Sequence, residues 1–557
     1  MNGDWQFRTT HALAKVYPDG VLGGDGESPA MSVFLGETAS FQVAFRPPQR
    51  AAFRDSAPLR VDVDPAARPY VTLHSVDLVP CDLAAFAEHD DGYDRDGPGL
   101  YPDLLRPLVD GSISPILGSW RGLWVDFRVD DPALAGRHDI VVSVTDSRAA
   151  LLYRRRMSVV VYAQALPRLP IAHTHWFHCD GLAEFYGCDV FSEQHWAVID
   201  AFLGSAARMQ VNTVLTPVWT PPLDTEVGGR RRRTQLLDIT HADGRYAVDF
   251  TLLDRWLQLC RRHGMDRLEI AHLFTQWGAL ATPSIYVTRD GESVEAFGWH
   301  VSATDPSYRD FLEQVIPALK THLDTVWGLD RVLFHISDEP SGAEHLASYA
   351  RAKAVVADLL EPCTVIDALS DIEFYDSGTV EHAVVATDAI APFLARGIRP
   401  LWAYYCVAQD RDVSNRFFAM PSSRNRVLGH QLFAHGCAGF LHWGFNFYNS
   451  ELSRRPIDPF RDTTASGALL GGDAFMVYPG IGGQPWDSIR SKVFTQAMFD
   501  MRAFDRLAEL AGRAAVLQQI DTDGRGGRLS FDRYSADPLH YLGVRENVNR
   551  QITALDP

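Results

Sequence analysis

The stretch RVLFHISDEP at residues 331–340 begins as an apolar run and ends in two carboxylates and a proline. A continuous apolar run is typical of a strand that is buried on both faces. Seven further runs resemble it, and together the eight lie at 173–177, 213–219, 268–274, 331–337, 364–369, 383–388, 401–406 and 439–445. Amphipathic helices are predicted between the early strands, at 192–209, 250–264, 307–326 and 344–359. This alternation predicts an α/β fold with a parallel sheet, and eight such units predict a TIM-like (β/α)8 barrel.

The regions on either side of these runs have different patterns. Up to about residue 165 the chain shows short alternating runs separated by Pro, Gly and Asp, which predict an antiparallel β-sandwich. Near the other end the periodicity is helical, at 488–512 and 536–552. We therefore predict an N-terminal β-sandwich domain at 1–168, a barrel domain at 169–480 and a small, mostly helical C-terminal extension at 481–557.

The composition limits the classes of partner. The chain has 557 residues, with 52 Lys and Arg against 70 Asp and Glu, which gives a net charge of −18. This balance argues against nucleic acid or a membrane surface as the main partner, because both attract clustered positive charge. No stretch reaches the roughly 20 apolar residues of a membrane span, and the N-terminus lacks the apolar core of a signal peptide. We expect a cytoplasmic protein, with a homo-oligomer through the N-terminal sandwich left open.

Several kinds of site are not indicated by the sequence. The seven cysteines form no CxxC pair and several lie in apolar runs, so we expect buried, reduced thiols. No G-x-S-x-G, G-x-G-x-x-G or G-x-x-x-x-G-K-[ST] motif occurs, so neither an esterase nor a nucleotide cofactor is indicated. His173, His175 and His178 lack the spacing of a metal site, so we predict no metal and no cofactor.

Polar and aromatic side chains accumulate at the predicted strand ends, where the active sites of barrel enzymes lie. Aromatic rings at such positions are suited to the apolar faces of sugars. The candidate ligand-binding residues are His175, Trp219, His272, Gln276, Trp277, His335, Trp402, Tyr404, Tyr405, Trp443 and Asn446.

The adjacent carboxylates Asp338 and Glu339 are the sharpest chemical signal. Two neighbouring carboxylates repel, which raises the pKa of at least one of them, and a carboxyl group that stays protonated can act as a general acid. Neighbours on a regular strand point to opposite faces, but Pro340 ends the strand and would allow both to face the barrel mouth. We predict that this pair is catalytic.

The segment 280–303 is long and contains the turn Arg289-Asp290-Gly291. It predicts a β-hairpin that reaches over the barrel mouth as a lid, because loops of this length are commonly functional. A flap that serves packing or an oligomer contact is the alternative.

Five motifs resemble the DUF4091 catalytic region, the group that contains the glycoside hydrolase family 123 β-N-acetylgalactosaminidases. They are HISDEP (335–340), AHLFTQWGA (271–279), LWAYYC (401–406), FLHWGFNFYNS (440–450) and GGDAFMVYPG (471–480). The resemblance covers roughly residues 170–515 and implies a small glycoside or oligosaccharide as substrate.

The resemblance further implies retaining hydrolysis assisted by the substrate. The 2-acetamido oxygen attacks the anomeric carbon and forms an oxazolinium ion, so the enzyme supplies no nucleophile of its own. Glu339 would act as general acid and then base, and Asp338 would accept the acetamido N–H. Tyr404 or Tyr405 would bind the acetamido carbonyl. Trp402 and Trp443 would form its apolar wall.

Two alternatives stay open. One is a retaining glycosidase that uses a protein nucleophile on a sugar without an acetamido group. Such barrels carry a Glu at the end of strand seven, and here 401–410 reads LWAYYCVAQD, which counts against it. The other is a carbohydrate-binding protein that has lost catalysis, which the intact Asp338-Glu339 pair disfavours.

Overall fold

The computed structural model describes residues 5–20, 31–48 and 56–556. Its centre is a closed parallel barrel of eight strands, which confirms the predicted fold class. The barrel strands, numbered one to eight in chain order, are Ala172–His175, Thr213–Thr216, Arg267–Ile270, Val332–Phe334, Thr364–Leu369, His382–Ala386, Trp402–Tyr404 and Gly439–His442. All eight lie within or beside the predicted runs, and most of them end sooner. The residues after each strand therefore form the mouth of the barrel.

Helices connect the barrel strands. They are Cys179–Phe185, Glu193–Arg208, Thr251–Arg262, Pro306–Val326, Gly342–Leu360, Glu373–Asp376, Ala391–Ala395, Ser422–Arg426 and Leu428–His435. The four predicted helices are confirmed among these. Local signals place their ends: Ser192 accepts the backbone N–H of His195, and Asp305 precedes Pro306 and accepts the N–H of Ser307.

The N-terminal region consists of two five-stranded sheets that share one apolar core. The first contains, in spatial order, Gln6–His11, Thr38–Arg46, Arg121–Arg128, Val71–Cys81 and Gly99–Pro107. The second contains Met31–Phe34, Leu151–Tyr162, Gly136–Thr145, Leu59–Val63 and Ser112–Ile113. The pairs are antiparallel except one, because Met31–Phe34 runs parallel to Leu151–Tyr162. Short-range alternation does not reveal this pair, since its strands lie more than a hundred residues apart.

The C-terminal region is helical, with helices Ile489–Ala511, Arg513–Ile520 and Pro538–Leu555. The first of these contacts both other regions. Arg426, on a barrel helix, pairs with Asp500, while Lys492 pairs with Asp126 of the first sheet at 3.0 Å. This helix therefore joins the sandwich to the barrel. The domain boundaries at 168 and 480 stay a prediction.

The segment 280–303 forms the predicted hairpin, with strands Ile285–Arg289 and Glu292–Phe297. It joins a second hairpin, Asp238–Ala242 and Arg245–Asp249, in a four-stranded sheet that sequence analysis missed. Phe297 packs against Tyr308 and Phe311 of helix Pro306–Val326. No described residue of 280–303 lines the cavity at the mouth. The contacts of the hairpin fit the packing flap, and its role as a lid stays a prediction.

Two further predictions about the chain can be compared with the structure. All seven cysteines are free thiols, and six of them are buried, as expected. No helix among the described residues is long and apolar enough to cross a membrane. A short two-stranded sheet, Tyr478–Pro479 with Pro485–Trp486, completes the set of strands.

Candidate active site

A cavity of about 190 Å³ opens at the carboxyl ends of the barrel strands. Six predicted site residues line it: Gln276, Trp277, Asp338, Glu339, Tyr404 and Trp443. Its closed end is formed by Trp176, Ala368 and Leu441, which are at most 3% exposed. Its open end includes Trp277, which is 43% exposed. The cavity is therefore a pocket with a deep apolar end and an aromatic rim.

The carboxyl groups of Asp338 and Glu339 both line this cavity. The strand has already ended at Phe334, and Glu339 has a φ of +43°, in the left-handed region. A left-handed residue interrupts the alternation of side chains along an extended chain, so neighbours can face the same side. A non-glycine residue in this region is strained, and such strain is concentrated at functional sites.

The two carboxyl groups have different surroundings. Burial raises the pKa of Glu339, whereas hydrogen bonds from the Tyr404 hydroxyl and the Cys406 thiol oppose the rise. The Cys406 Sγ lies 3.7 Å from Glu339 Oε1. Burial raises the pKa of Asp338 well above its usual range, and the charge of Glu339 adds to this rise. Because the two groups disfavour each other's charge, the pair retains a proton more readily than isolated carboxyls do.

A buried histidine lies below the pair. The Nε2 of His335 is 3.1 Å from Glu269, and its Nδ1 is 3.4 Å from Asp367. His335 Nε2 donates a hydrogen bond to Glu269, and the negative charges of Glu269 and Asp367 outweigh the effect of burial and raise the pKa of His335 to about 9. Its positive charge opposes the rise in the pKa of Asp338. His335 is thus a fixed cation beneath the pair rather than a group that contacts the ligand.

His272, His335 and Asp367 form the most metal-like group among the described residues, since their donor atoms lie within 4.8 Å of one another. The rings of His272 and His335, however, stack with centroids 4.4 Å apart and planes at 22°. A bound metal lies close to the plane of each imidazole ligand, and stacked rings do not direct two nitrogens to one point. The arrangement therefore fits an ion-paired histidine better than a metal centre.

A second buried cluster surrounds Arg416, near strands one and eight. Its guanidinium lies 3.0 Å from His175 Nδ1 and 2.8 Å from His442 Nδ1. It also donates to the carbonyls of Gly444 and Asp473. Burial and the charge of Arg416 hold the pKa values of both histidines well below the usual range, so they are neutral. The cluster fixes the backbone around Trp443.

The charge of the lining restricts the ligand. Five carboxyl residues line the cavity: Asp224, Asp338, Glu339, Glu451 and Asp473. Among the described residues of the lining there is no Lys, Arg or His. An anionic ligand would meet repulsion without a compensating cation, so the cavity suits a neutral or positively charged molecule.

The glycoside hydrolase 123 catalytic domain model matches residues 176–507, which include the whole cavity. The chain belongs to glycoside hydrolase family 123. This membership makes it a glycoside hydrolase, and it confirms the resemblance seen in the five motifs. The match extends into helix Ile489–Ala511, which joins the barrel to the sandwich.

Comparison with solved structures supports the fold. A family 123 glycoside hydrolase from Clostridium perfringens, described in terms of glycolipid glycan hydrolysis, has 12% identity and a TM-score of 0.70. The match covers 99% of this chain and 98% of that one, so the fold is shared throughout. An endo-β-1,4-mannanase from Thermotoga petrophila has 11% identity, a TM-score of 0.33 and coverage of 60% and 77%. A search of curated proteins finds no significant match to the chain.

The other predicted site residues of this family 123 chain lie outside the cavity lining. Trp219 is fully buried and donates to the carbonyl of His272, and Trp402 lies inside the barrel against Gly439. Tyr405 is buried against Phe440. The remaining four, His175, His272, His335 and Asn446, take part in buried contacts beneath or beside the mouth. Residues at the strand ends thus support the cavity from beneath or beside it as well as line it.

Several residues of the cavity lining are not among the predicted site residues. Asp224 and Asp473 are the most notable, because burial raises their pKa values to about 6 and about 7. Asp473 accepts a hydrogen bond from Trp443 Nε1 at 3.0 Å. Asp473 lies in the motif GGDAFMVYPG, but it does not follow a predicted strand, so its position does not indicate a site residue. Cys406 is the last residue of the motif LWAYYC, and the sequence predicts only a buried thiol there.

Proposed function

We propose that this glycoside hydrolase is a retaining β-N-acetylgalactosaminidase that uses the 2-acetamido group of its substrate as nucleophile. The observation that carries the proposal is the placement of the adjacent Asp338 and Glu339 in one cavity with different surroundings. The family resemblance supplies the sugar and its β configuration. The absence of basic residues from the described lining fits a neutral sugar.

Glu339 is the proposed general acid and base. Burial raises the pKa of both carboxyls, so the pair retains a proton, and the proposed mechanism requires this proton to lie on Glu339 when the substrate is bound. The charge of His335 favours the carboxylate form of Asp338 in that arrangement. Asp338 is proposed to accept the acetamido N–H, which orients the carbonyl oxygen towards the anomeric carbon. The positive charge that develops on the oxazolinium ion then stabilises the Asp338 carboxylate, so its charge is most favourable in the transition state.

Tyr404 is the proposed donor to the acetamido carbonyl, because it lines the cavity whereas Tyr405 does not. The Tyr404 hydroxyl donates to Glu339 when that carboxylate is charged. When Glu339 carries its proton, this donor is free to bind the substrate. Trp443 and Trp176 supply apolar faces for the acetamido methyl and the sugar ring.

The first experiment tests the sugar. Aryl β-N-acetylgalactosaminide, β-N-acetylglucosaminide and β-galactoside are assayed in parallel, and we expect turnover of the first and little turnover of the third. A series in which the N-acetyl group carries one, two and three fluorines follows, because fluorine weakens the attacking oxygen. The rate should fall steeply along this series. Equal rates along it, or comparable cleavage of the galactoside, would overturn the acetamido mechanism.

The second experiment tests the two roles. Glu339→Gln should lose about 10²- to 10⁴-fold in kcat/KM on natural leaving groups and much less on activated aryl ones. Asp338→Asn should lose about 10²- to 10³-fold on both, because it weakens stabilisation of the oxazolinium ion. Glu344→Gln changes an exposed carboxyl close in sequence and serves as the matched control. An active Asp338→Asn enzyme would contradict the role of Asp338.

A further inference from the structure

Trp277 is the one large aromatic residue of the cavity lining, among the described residues, that is more than a third exposed. Its ring lies at the open end, whereas Trp176 at the closed end is 1% exposed. An exposed indole at the rim of a binding site offers an apolar face on which a sugar ring can stack.

The loop that carries Trp277 is tied to the catalytic pair. The backbone N–H of Trp277 donates to the carbonyl of Asp338 at 2.9 Å. At the base of the loop, the N–H of Thr275 donates to the carbonyl of Ala281 at 3.0 Å, and the N–H of Ala281 donates back to the Thr275 hydroxyl at 3.2 Å. The position of the Trp277 backbone relative to Asp338 is therefore fixed.

The backbone of this loop leaves little freedom. Trp277, Gly278 and Ala279 have φ values of +56°, +108° and +54°, three consecutive residues in left-handed or related conformations. A side chain at Gly278 would bring its Cβ within 2.7 Å of the His345 ring, so only glycine fits there. A strained and anchored loop that exposes a tryptophan presents a preorganised binding surface.

The chemistry of the reaction places the leaving group on this side. A general acid must lie within hydrogen-bond reach of the glycosidic oxygen, so the leaving group begins beside Glu339. The deep end of the cavity is closed by Trp176, Ala368 and Leu441, which leaves the open end for the group that departs. The first ring on the leaving-group side therefore lies at the rim that Trp277 forms.

We propose that Trp277 is the platform on which the first sugar of the leaving group stacks, so that the enzyme selects oligosaccharide substrates over glycosides with small leaving groups. The inference rests on the proposed role of Glu339 as the acid. The carboxylates and the missing basic residues of the described lining indicate that this sugar is neutral. Trp277 is thus a specificity-determining residue that contacts the part of the substrate that leaves.

The test compares two substrates that differ only in the leaving group. One is a β-linked disaccharide glycoside and the other is the corresponding β-glycosyl fluoride, which has no ring on the leaving side. Both carry the sugar that the wild-type enzyme hydrolyses in the parallel assay above. A failure with N-acetylgalactosamine then overturns only the proposed function, and the test of Trp277 proceeds with the other sugar.

The variant is Trp277→Asn, because asparagine tolerates the left-handed backbone better than other residues with a side chain. We expect kcat/KM on the disaccharide to fall about 10- to 100-fold, while the value on the fluoride changes little. The inhibition constant of the free monosaccharide should not change, and Trp277→Phe should recover part of the loss. Leu280→Asn, on an exposed side chain of the same loop region, is the matched control.

Two results would overturn the proposal. If Trp277→Asn lowers kcat/KM on both substrates equally and also weakens inhibition by the free monosaccharide, the indole contacts the sugar in the deep end of the cavity. If it changes none of these values, the indole contacts no substrate. A thermal unfolding curve for each variant separates loss of folding from loss of binding. Should Trp277→Asn fail to fold, Trp277→Phe still tests the proposal, because its smaller ring should lower kcat/KM on the disaccharide relative to kcat/KM on the fluoride.

Discussion

Two clusters of buried histidines support the barrel mouth, and they differ in the charge of their partners. His335 lies between the carboxylates of Glu269 and Asp367, which raise its pKa to about 9. His175 and His442 lie against the guanidinium of Arg416, which keeps them neutral. The same side chain at similar burial is a cation in one cluster and a neutral acceptor in the other.

Because of this difference in charge, the two clusters affect different parts of the site. The charge of His335 acts on Asp338 and favours its carboxylate form, which the proposed mechanism needs. The neutral histidines accept hydrogen bonds from Arg416 and leave its remaining donors for the carbonyls around Trp443. The His335 cluster therefore affects the charge of the catalytic pair, and the Arg416 cluster holds the backbone of the cavity wall at Trp443.

The largest expected loss of stability is that of His335→Gln. A histidine whose pKa rises from 6.5 to about 9 on folding contributes about 3 kcal/mol. Because the pKa is raised, this contribution is fully present below pH 6.5 and is lost as the pH rises through 9. The difference in unfolding free energy between wild type and variant should shrink over that range. Chemical denaturation at pH 6, 7, 8 and 9 measures it.

The control for His335→Gln is His322→Gln, which removes a partly exposed histidine that lies 2.7 Å from Asp254. A pair of this kind contributes about 0–1 kcal/mol. His335→Gln should also shift the acid limb of the activity profile to higher pH, because Asp338 loses a stabilising cation. A stability difference that is the same at pH 6 and pH 9 would mean that folding does not raise the pKa of His335.

The next effect in size is that of Arg416→Met. The side chain donates to the carbonyls of Gly444 and Asp473, and each buried acceptor left without a donor costs about 1–3 kcal/mol. Removal of a buried charge offsets part of this cost, so we expect a net loss of about 2 kcal/mol. The loss should grow as the pH rises from 6 to 8, because the charge of Arg416 lowers the pKa of Asp473, which is about 7, and the ionised Asp473 costs more stability without that charge. Denaturation over that range checks it.

The exposed residue Arg411, paired with Glu88, offers the control Arg411→Met, which should leave stability almost unchanged. If Arg416→Met showed the same pH dependence as His335→Gln, the two clusters would share one electrostatic character and the comparison would fail.

The fold could be predicted because its signals are local. Eight apolar runs and the helices between them follow from periodicity, and each strand buries its own side chains. The parallel pair of Met31–Phe34 with Leu151–Tyr162 could not be predicted in this way. Neither could the second hairpin at Asp238–Ala242, because its strands are short and partly exposed.

The candidate site was predicted in part. Asp338 and Glu339 follow a strand and stand out by charge, but the left-handed backbone that turns both into the cavity leaves no trace in composition. Arg416 is 241 residues from His175, so no spacing rule links them. Trp219 and Trp402 show that an aromatic residue near a strand end can be barrel interior. Sequence position indicates the edge of the sheet, whereas the direction of a side chain depends on tertiary packing.

The smallest expected effect on activity is that of Asp473→Asn, which also separates the two mechanisms. Asp473 lies 3.4 Å from His442 and accepts a hydrogen bond from Trp443, a bond that an asparagine oxygen can keep. Burial raises the pKa of Asp473 to about 7, so its charge destabilises the fold increasingly as the pH rises from 3.8 to 7. The variant should therefore unfold at a higher temperature than wild type at pH 8, where the shift corresponds to at most about 4 kcal/mol, and at a similar temperature at pH 4. With an acetamido nucleophile, kcat/KM should stay within about threefold of wild type, since the wall is preserved. If Asp473 were instead a protein nucleophile, Asp473→Asn would abolish turnover even of activated aryl glycosides, because no covalent intermediate could form.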